Sequence, residues 1–146
     1  MHLSQLTHLN SMSLSEKLGY AGLVPFIASA VAAVVGIEGS EHFFKVYSVL
    51  ILCFMAGGCW GVEQANPDKI DEVPLELSIG AMLWAMMAYF LPPEVALPML
   101  LAGFWILIWV EANPLFKSAY SASYKHLRMV LTSVVSVLHL IVFLTL

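Results

Sequence analysis

Three charged side chains flank the apolar stretches of this sequence at positions from which they could meet. Glu63 follows the second stretch, Glu111 ends the fourth, and Arg128 comes just before the last. An arginine near a membrane interface prefers a carboxylate or phosphate partner, so we expect Arg128 to pair with Glu63 or Glu111. Trp60 and Trp109 lie at a similar depth, which completes a candidate ion-pair and binding cluster on one rim. In the alternative, each charge extends separately into the lipid headgroups.

A second candidate feature is the pair Gly57 and Gly61, which forms a GxxxG motif near the end of the second apolar stretch. Small residues let two helices in a membrane approach closely and gain dispersion contacts. The first stretch offers a matching small face that includes Gly22 and Ser29, so we expect these two helices to pack through their small residues. The functional alternative is that the glycines let a headgroup or a quinone ring reach the backbone beside Trp60.

The last apolar stretch carries a polar stripe that contains Thr132, Ser136 and His139, in line with Arg128. Spacings of four, four and three residues place these side chains on one helix face. An ionisable residue inside a membrane is a functional hypothesis by default. However, a single histidine without an acidic partner at its depth is more simply explained by hydrogen bonds across a helix contact. We therefore expect a structural role for His139, with a proton path as the alternative.

Catalytic chemistry is not predicted. The sequence shows no nucleophile–base pair, no paired intramembrane acids and no set of residues with metal-ligand spacing. The acidic segment 63–76 lacks the spacing and the glycine of an EF-hand, so we interpret it as a solvated loop. We therefore predict that the protein is not an enzyme and that it holds neither a metal nor a cofactor.

These residues must be positioned by elements whose solvent is lipid. Of the 146 residues, 60% are hydrophobic and only 11% are charged, and the mean hydropathy is +0.86. A soluble domain carries about 25% charged residues, which this chain could not supply to cover a water-exposed surface. The length fits a single domain.

The predicted fold is an all-α membrane protein, a bundle of five transmembrane helices that forms one domain over residues 18–146 after a flexible N-terminal lead, 1–17. Each stretch has about 17–20 residues, enough for a hydrocarbon core of about 30 Å. A signal peptide is the rival interpretation of the first stretch, but its charged flank is weak and its apolar run is long. The predicted spans are 18–37, 43–62, 75–91, 94–110 and 129–146.

The segment before the last span predicts a short amphipathic helix in the headgroup region. Phe116, Tyr120, Tyr124 and Leu127 recur at helical spacing, with cationic and hydroxyl side chains between them. The alternative is a linker whose tyrosines belong to the aromatic belt.

Five passes place the N-terminus and the loops 63–76 and 111–128 on one side. That side holds five of the six lysine and arginine residues, and Lys45 is the exception. The positive-inside rule then predicts a cytoplasmic N-terminus and an external C-terminus in a bacterial inner membrane.

Three short motifs together resemble a known family. They are Leu18-Gly19-Tyr20-Ala21-Gly22-Leu23-Val24-Pro25-Phe26, Gly57-Gly58-Cys59-Trp60-Gly61, and Leu127-Arg128-Met129-Val130-Leu131-Thr132. The combination resembles a family of small bacterial membrane proteins of unknown function that includes the transmembrane protein 69-like proteins of mitochondria. Cys59 stands where members of that family often carry a histidine, so no ligand role of that histidine is carried over.

The resemblance implies a location and no activity. By analogy with the mitochondrial proteins, we expect a non-catalytic accessory or assembly factor of a respiratory-type membrane complex. The alternatives are a small oligomeric transporter or channel, and a protein that binds a lipid or a quinone. The expected partners are the lipid bilayer and either a larger membrane complex or further copies of this chain, with no nucleic acid.

Overall fold

The computed structural model describes residues 14–68, 75–114, 116 and 120–146, and every long regular element in these residues is a helix. The all-α prediction is therefore confirmed. The helices are α1 (Leu14–Ala21), α2 (Leu23–Val34), α3 (Ser40–Ala65), α4 (Leu75–Tyr89), α5 (Pro93–Glu111) and α6 (Ala122–Thr145).

α1 and α2 follow each other as one span. Gly22 between them keeps right-handed helical angles, φ −63° and ψ −18°, and its N–H donates to the Leu18 carbonyl at 2.9 Å. The span ends at Gly36, whose φ of +81° suits a residue without a Cβ. The Gly36 N–H donates to Ala33 and the Ile37 N–H to Ala32, which is the Schellman arrangement that closes a helix.

Four of the elements surround a common core. α2 packs on α3, α3 on α5, α5 on α6, and α6 back on α2, while α4 lies outside this ring against α3 and α5. The largest fully buried apolar side chains come from all four members of the ring and from the segment before α6, and they include Phe26, Phe44, Leu52, Leu97, Leu100, Leu107, Phe116 and Val142. Many large apolar side chains point outward instead, as expected where hydrocarbon replaces water.

In the part of the chain that the structure describes, four helices are long and apolar enough to cross a membrane: 16–34, 40–65, 93–111 and 122–145. The remaining predicted span, 75–91, corresponds to α4, whose 15 residues extend only about 22 Å at 1.5 Å per residue. Both ends of α4 are nevertheless tied to α3. Ser78 donates to Glu63 at 2.9 Å, and the Lys45 ammonium donates to the carbonyls of Tyr89 and Leu91 at 3.0 Å each. α4 therefore runs antiparallel to α3 from one end of the bundle toward the other.

The prediction of a separate interfacial helix that reaches Arg128 is wrong. Ser121 caps α6 by accepting a hydrogen bond from the Tyr124 N–H at 3.2 Å, so the chain from Ala122 onward already belongs to the last span. Leu127 is buried among neighbouring helices and does not face the headgroups. Of the residues at helical spacing, Tyr124 and Leu127 belong to the first turns of α6. Phe116 and Tyr120 precede α6, and the Tyr120 N–H donates to the Phe116 carbonyl at 2.9 Å. Residues 115 and 117–119 lie outside the described residues.

The boundary of the predicted N-terminal lead also shifts. α1 begins at Leu14, so residues 14–17 are helical, and residues 1–13 lie outside the described part of the chain. In the acidic segment, α3 continues to Ala65 and residues 69–74 are likewise outside the described part.

The prediction that Gly57 and Gly61 hold the second span against the first is wrong. A Cβ added at either position would meet no atom within 4 Å, and both residues are exposed. The two spans meet through larger side chains nearer the start of α3: Phe26 contacts the rings of Phe44 and Tyr47 at 5.4 and 4.7 Å. The other expected small residues do lie at or near this contact, since Ser29 is buried and the Gly22 carbonyl accepts from the Tyr47 hydroxyl at 2.6 Å.

A different glycine is closely packed. A Cβ on Gly103 would come within 2.6 Å of a Leu52 methyl carbon and 3.4 Å of the Trp84 ring. We expect Gly103→Leu to lower the free energy of unfolding in detergent by about 1–3 kcal/mol, because the added side chain overpacks the contact between α3, α4 and α5.

Gly57→Leu is the matched control. It adds the same side chain at an open helical position, where leucine is the better helix former by about 0.8 kcal/mol. Thermal unfolding should therefore show equal or raised stability for Gly57→Leu. An equal loss at both glycines would contradict the packing described.

Candidate functional site

The centre of the predicted rim cluster is a buried ion pair between α5 and α6. Arg128 donates from Nη2 to Glu111 Oε1 at 2.8 Å, and from Nε to both carboxylate oxygens at 3.1 Å. The two side chains are only 5% and 8% exposed. This forked geometry is the strong form of an arginine–carboxylate contact. The expectation that Arg128 pairs with a rim acid is confirmed, and the acid is Glu111.

Glu63 belongs to a different contact. Its side chain is fully buried, and its Oε1 accepts from the Ser78 hydroxyl. Its Oε2 has no hydrogen-bond partner among the described residues. The alternative pairing of Arg128 with Glu63 is therefore wrong, because Glu63 faces the start of α4 while Arg128 lies between α5 and α6.

The structure adds residues that sequence reasoning did not assign to the cluster. The Cys59 thiol is buried and lies 3.5 Å from Glu111 Oε1, to which it can donate. Tyr120 and Tyr124 stack edge to face beside the ion pair, with ring centroids 4.6 Å apart. Burial raises the pKa of Tyr120, and the negative charge of Glu111 raises it further, so this phenol stays neutral.

Trp60 and Trp109 do not join the cluster. Trp109 is 66% exposed and Trp60 is 37% exposed. Each residue of a helix is rotated by about 100° from the one before it, so Trp60 points away from the face that carries Cys59. The two tryptophans therefore face outward from the bundle, as aromatic residues near a membrane interface commonly do.

In the polar stripe of α6, Thr132 and His139 are buried and Ser136 is half-buried. Most of the stripe is satisfied by internal hydrogen bonds. His139 Nδ1 lies 2.7 Å from the Val135 carbonyl and Nε2 lies 2.7 Å from the Ser48 hydroxyl. A carbonyl can only accept, so Nδ1 carries a proton and Nε2 of the neutral ring accepts from Ser48. Ser136 donates to the Thr132 carbonyl and accepts from the Trp105 indole. These contacts support the structural interpretation of His139.

Aromatic rings enclose His139 on several sides. The centroids of Phe44, Phe104 and Phe26 lie 4.8, 5.7 and 5.9 Å from the imidazole. The histidine therefore sits at the centre of the ring of helices, and Ser48 ties it across that ring to α3.

Thr132 is the exception in this stripe. It is 2% exposed, and its hydroxyl has no hydrogen-bond partner in the described residues. Ser133 and Ser136, on the same helix, donate to the carbonyl four residues earlier. Thr132 also lines a cavity.

The cavity has a volume of about 380 Å³ and lies between the first span, α3 and α6. Its lining is mostly apolar, and the polar members Tyr124, Arg128 and Thr132 are neighbours along one edge of α6. An apolar pocket of about 300–1,000 Å³ with a few converging polar groups is typical of a small-molecule site.

The cavity opens through the side of the bundle. Leu18 and Phe54 belong to its lining and are 62% and 73% exposed, whereas Phe26 and Phe104 close its inner wall and are buried. The exposed members are apolar and lie within membrane-spanning helices. The opening therefore faces the bilayer.

Sequence reasoning missed Ser48 and Cys59, although a signal was present. Ser48, Cys59 and Glu63 are separated by eleven and four residues, which places them on one face of α3, and all three are buried. In the described part of the chain, no group of three or more His, Cys, Asp or Glu side chains could hold a metal ion.

A helical bundle with several apolar helices long enough to cross a bilayer, and with its polar groups joined inside, defines a multi-pass membrane protein. Within that class, the chain belongs to DUF3429, a family of proteins of unknown function whose model matches residues 13–144. Comparison with curated proteins and with solved structures gives no significant match. The relation to the mitochondrial transmembrane protein 69-like proteins stays a prediction.

We expect Arg128→Ala to lower the free energy of unfolding by about 3–5 kcal/mol, because Glu111 is left buried without its counter-charge. The double variant Arg128→Met/Glu111→Leu should lose less than Arg128→Ala alone, since it buries no unpaired charge. Denaturation of the purified variants in detergent measures both effects.

Glu63→Gln is the control for the ion-pair variants. It retains the oxygen that accepts from Ser78 and lies outside the ion pair, so its effect should add to that of Arg128→Ala. Strong coupling of Arg128 to Glu63, and additivity with Glu111, would contradict the assignment.

Proposed function

We propose that this protein is a non-catalytic membrane protein that binds an amphipathic, lipid-soluble molecule in the cavity between its first span, α3 and α6. The observation that carries the proposal is the combination of a bilayer-facing opening with a polar edge formed by Tyr124, Arg128 and Thr132. An amphiphile could place its tail against the apolar walls and its head at this edge. It could enter from the membrane without passing through water.

The binding interpretation is favoured over transport by the way the polar groups are joined. The ionised side chains Arg128 and Glu111 pair with each other, and both nitrogens of His139 are engaged. An ion would have to break these contacts to use them as a path, at the cost of leaving buried charges unpaired. A bound apolar molecule requires none of these contacts to break.

For the biological setting, we propose an accessory or assembly component of a respiratory-type membrane complex. The support is the family resemblance of the sequence, together with a ligand-sized cavity whose lining does not include the hydrogen-bonded pair Ser48 and His139. Co-purification of a stoichiometric partner in mild detergent tests this role. A free homogeneous oligomer would count against it.

Cavity filling tests the binding function. Leu23 lines the cavity, and Leu23→Trp should expel the amphiphile while leaving the thermal unfolding midpoint nearly unchanged. The readout is solvent extraction of the purified protein followed by mass spectrometry, with about one bound molecule per wild-type chain expected.

Val24→Trp is the matched control, because Val24 is the next residue along α2 and is 63% exposed on the outside. It should keep the bound molecule. If Leu23→Trp retained the ligand, or if the two variants lost it equally, the cavity would not be the binding site.

We further propose that α4 also crosses the membrane and that the protein has five spans, with a cytoplasmic N-terminus in a bacterial inner membrane. The contacts of α4 with Glu63 at one end of α3 and with Lys45 at the other support a full crossing. A reporter enzyme that works only outside the cytoplasm should then be active when it is fused after Leu146, and a reporter that works only in the cytoplasm should be inactive there. A cytoplasmic signal would indicate an even number of spans.

A further inference from the structure

We infer that the cavity selects an uncharged amphiphile whose head carries a carbonyl oxygen, and that the Thr132 hydroxyl donates a hydrogen bond to that oxygen. The inference rests on the proposed binding function and specifies the class of ligand. Quinones of the membrane and diacylglycerols both present such a carbonyl on an apolar tail.

The charge of the polar edge indicates a neutral head. Arg128 lines the cavity, but its positive charge is already balanced by the Glu111 carboxylate at 2.8 Å. A phosphate head would bring a second negative charge to this pair, where burial makes an unbalanced charge costly. An uncharged head leaves the pair intact.

The hydrogen-bond donors of the polar edge indicate that the head of the ligand carries an acceptor. An arginine side chain only donates, and the hydroxyls of Tyr124 and Thr132 can each donate as well. Thr132 is the clearest case, since the residue lines the cavity and its buried hydroxyl is unpartnered among the described residues. A buried hydroxyl without a partner is destabilising, and a ligand carbonyl would remove this cost.

The position of Thr132 also suits the junction between head and tail. It lies one helical turn beyond Arg128, about 6 Å deeper along α6. Beyond it, the lining is apolar as far as Val135 and the buried rings of Phe26 and Phe104. A head held at Thr132 therefore directs its tail along apolar walls.

The test compares two probes that differ in their carbonyls. The first is a fully substituted 1,4-benzoquinone with a decyl tail, which leaves no ring position for thiol addition. The second is the benzene with the same substituents and tail. Both are titrated into protein in phosphatidylcholine nanodiscs, and partition into empty nanodiscs is subtracted.

Wild-type protein should bind the quinone about three- to tenfold more tightly than its hydrocarbon partner, the ratio expected for one hydrogen bond. Thr132→Val, which keeps the side-chain shape, should reduce this ratio to about one without changing affinity for the hydrocarbon. Thr145→Val is the matched control, because the Thr145 hydroxyl bonds its own helix at the Val142 carbonyl.

Further measurements distinguish a quinone from a diacylglycerol as the ligand. They also distinguish failure of this inference from failure of the proposed binding function. Competition by dioctanoylglycerol as strong as by the quinone would identify the carbonyl as the shared determinant, whereas weaker competition would identify the quinone ring. An unchanged ratio in Thr132→Val, or stronger competition by an anionic phosphatidylglycerol, would overturn the inference while leaving the cavity as a binding site. If neither probe binds and Leu23→Trp extracts carry as much amphiphile as wild type, the proposed function itself is wrong.

Discussion

A buried polar group in this protein must find its partner inside the bundle, because hydrocarbon offers none. The contacts between neighbouring helices follow from this constraint. Most neighbouring helices in the bundle are joined by at least one polar contact. The contacts are Tyr47 to Gly22, Glu63 to Ser78, Lys45 to Tyr89, Trp84 to Met99, Trp105 to Ser136, and Arg128 to Glu111. The Ser48–His139 bond then crosses the ring.

The cavity lies along the seam between the first span and α6. The first span and α6 contact each other, but the described side chains facing the space between them are mainly apolar. Thr132 lines this cavity, and its buried hydroxyl has no hydrogen-bond partner among the described residues. The ligand that we propose would supply an acceptor for that hydroxyl.

Composition and the positions of apolar stretches were enough to predict most helix ends to within about four residues, because long apolar runs in a membrane have few other conformations available. The start of α6 is the exception, at residue 122 against the predicted 129. The ion pair was also within reach, since Glu111 ends one helix and Arg128 lies near the start of the next. Choosing Glu111 over Glu63 required Ser78, whose approach depends on how α4 folds back on α3. This packing of α4 on α3 cannot be read from the residues near Glu63 or Arg128 alone.

Helix faces were harder to predict, and the glycines illustrate why. In lipid, both the inner and the outer face of a helix are apolar, so periodicity of hydrophobic residues says little about which face is inward. On α3 the inward face is marked by Ser48, Cys59 and Glu63, and Gly57 and Gly61 lie on other faces. A GxxxG motif predicts a helix surface that another helix can approach closely, but it does not identify the partner helix.

The capping of α4 by Lys45 has a consequence for the order in which the protein can be completed. Lys45 and the carbonyl of Tyr89 are 44 residues apart in the chain, so the lysine emerges from the ribosome long before its acceptors exist. Until α4 has been made and has docked, that ammonium must stay hydrated at the end of the bundle opposite Arg128. Docking of α4 then withdraws it from water, and thereafter α3 cannot slide or invert without abandoning a bound charge. Docked α4 thus holds α3 in its position through the hydrogen bonds of Lys45.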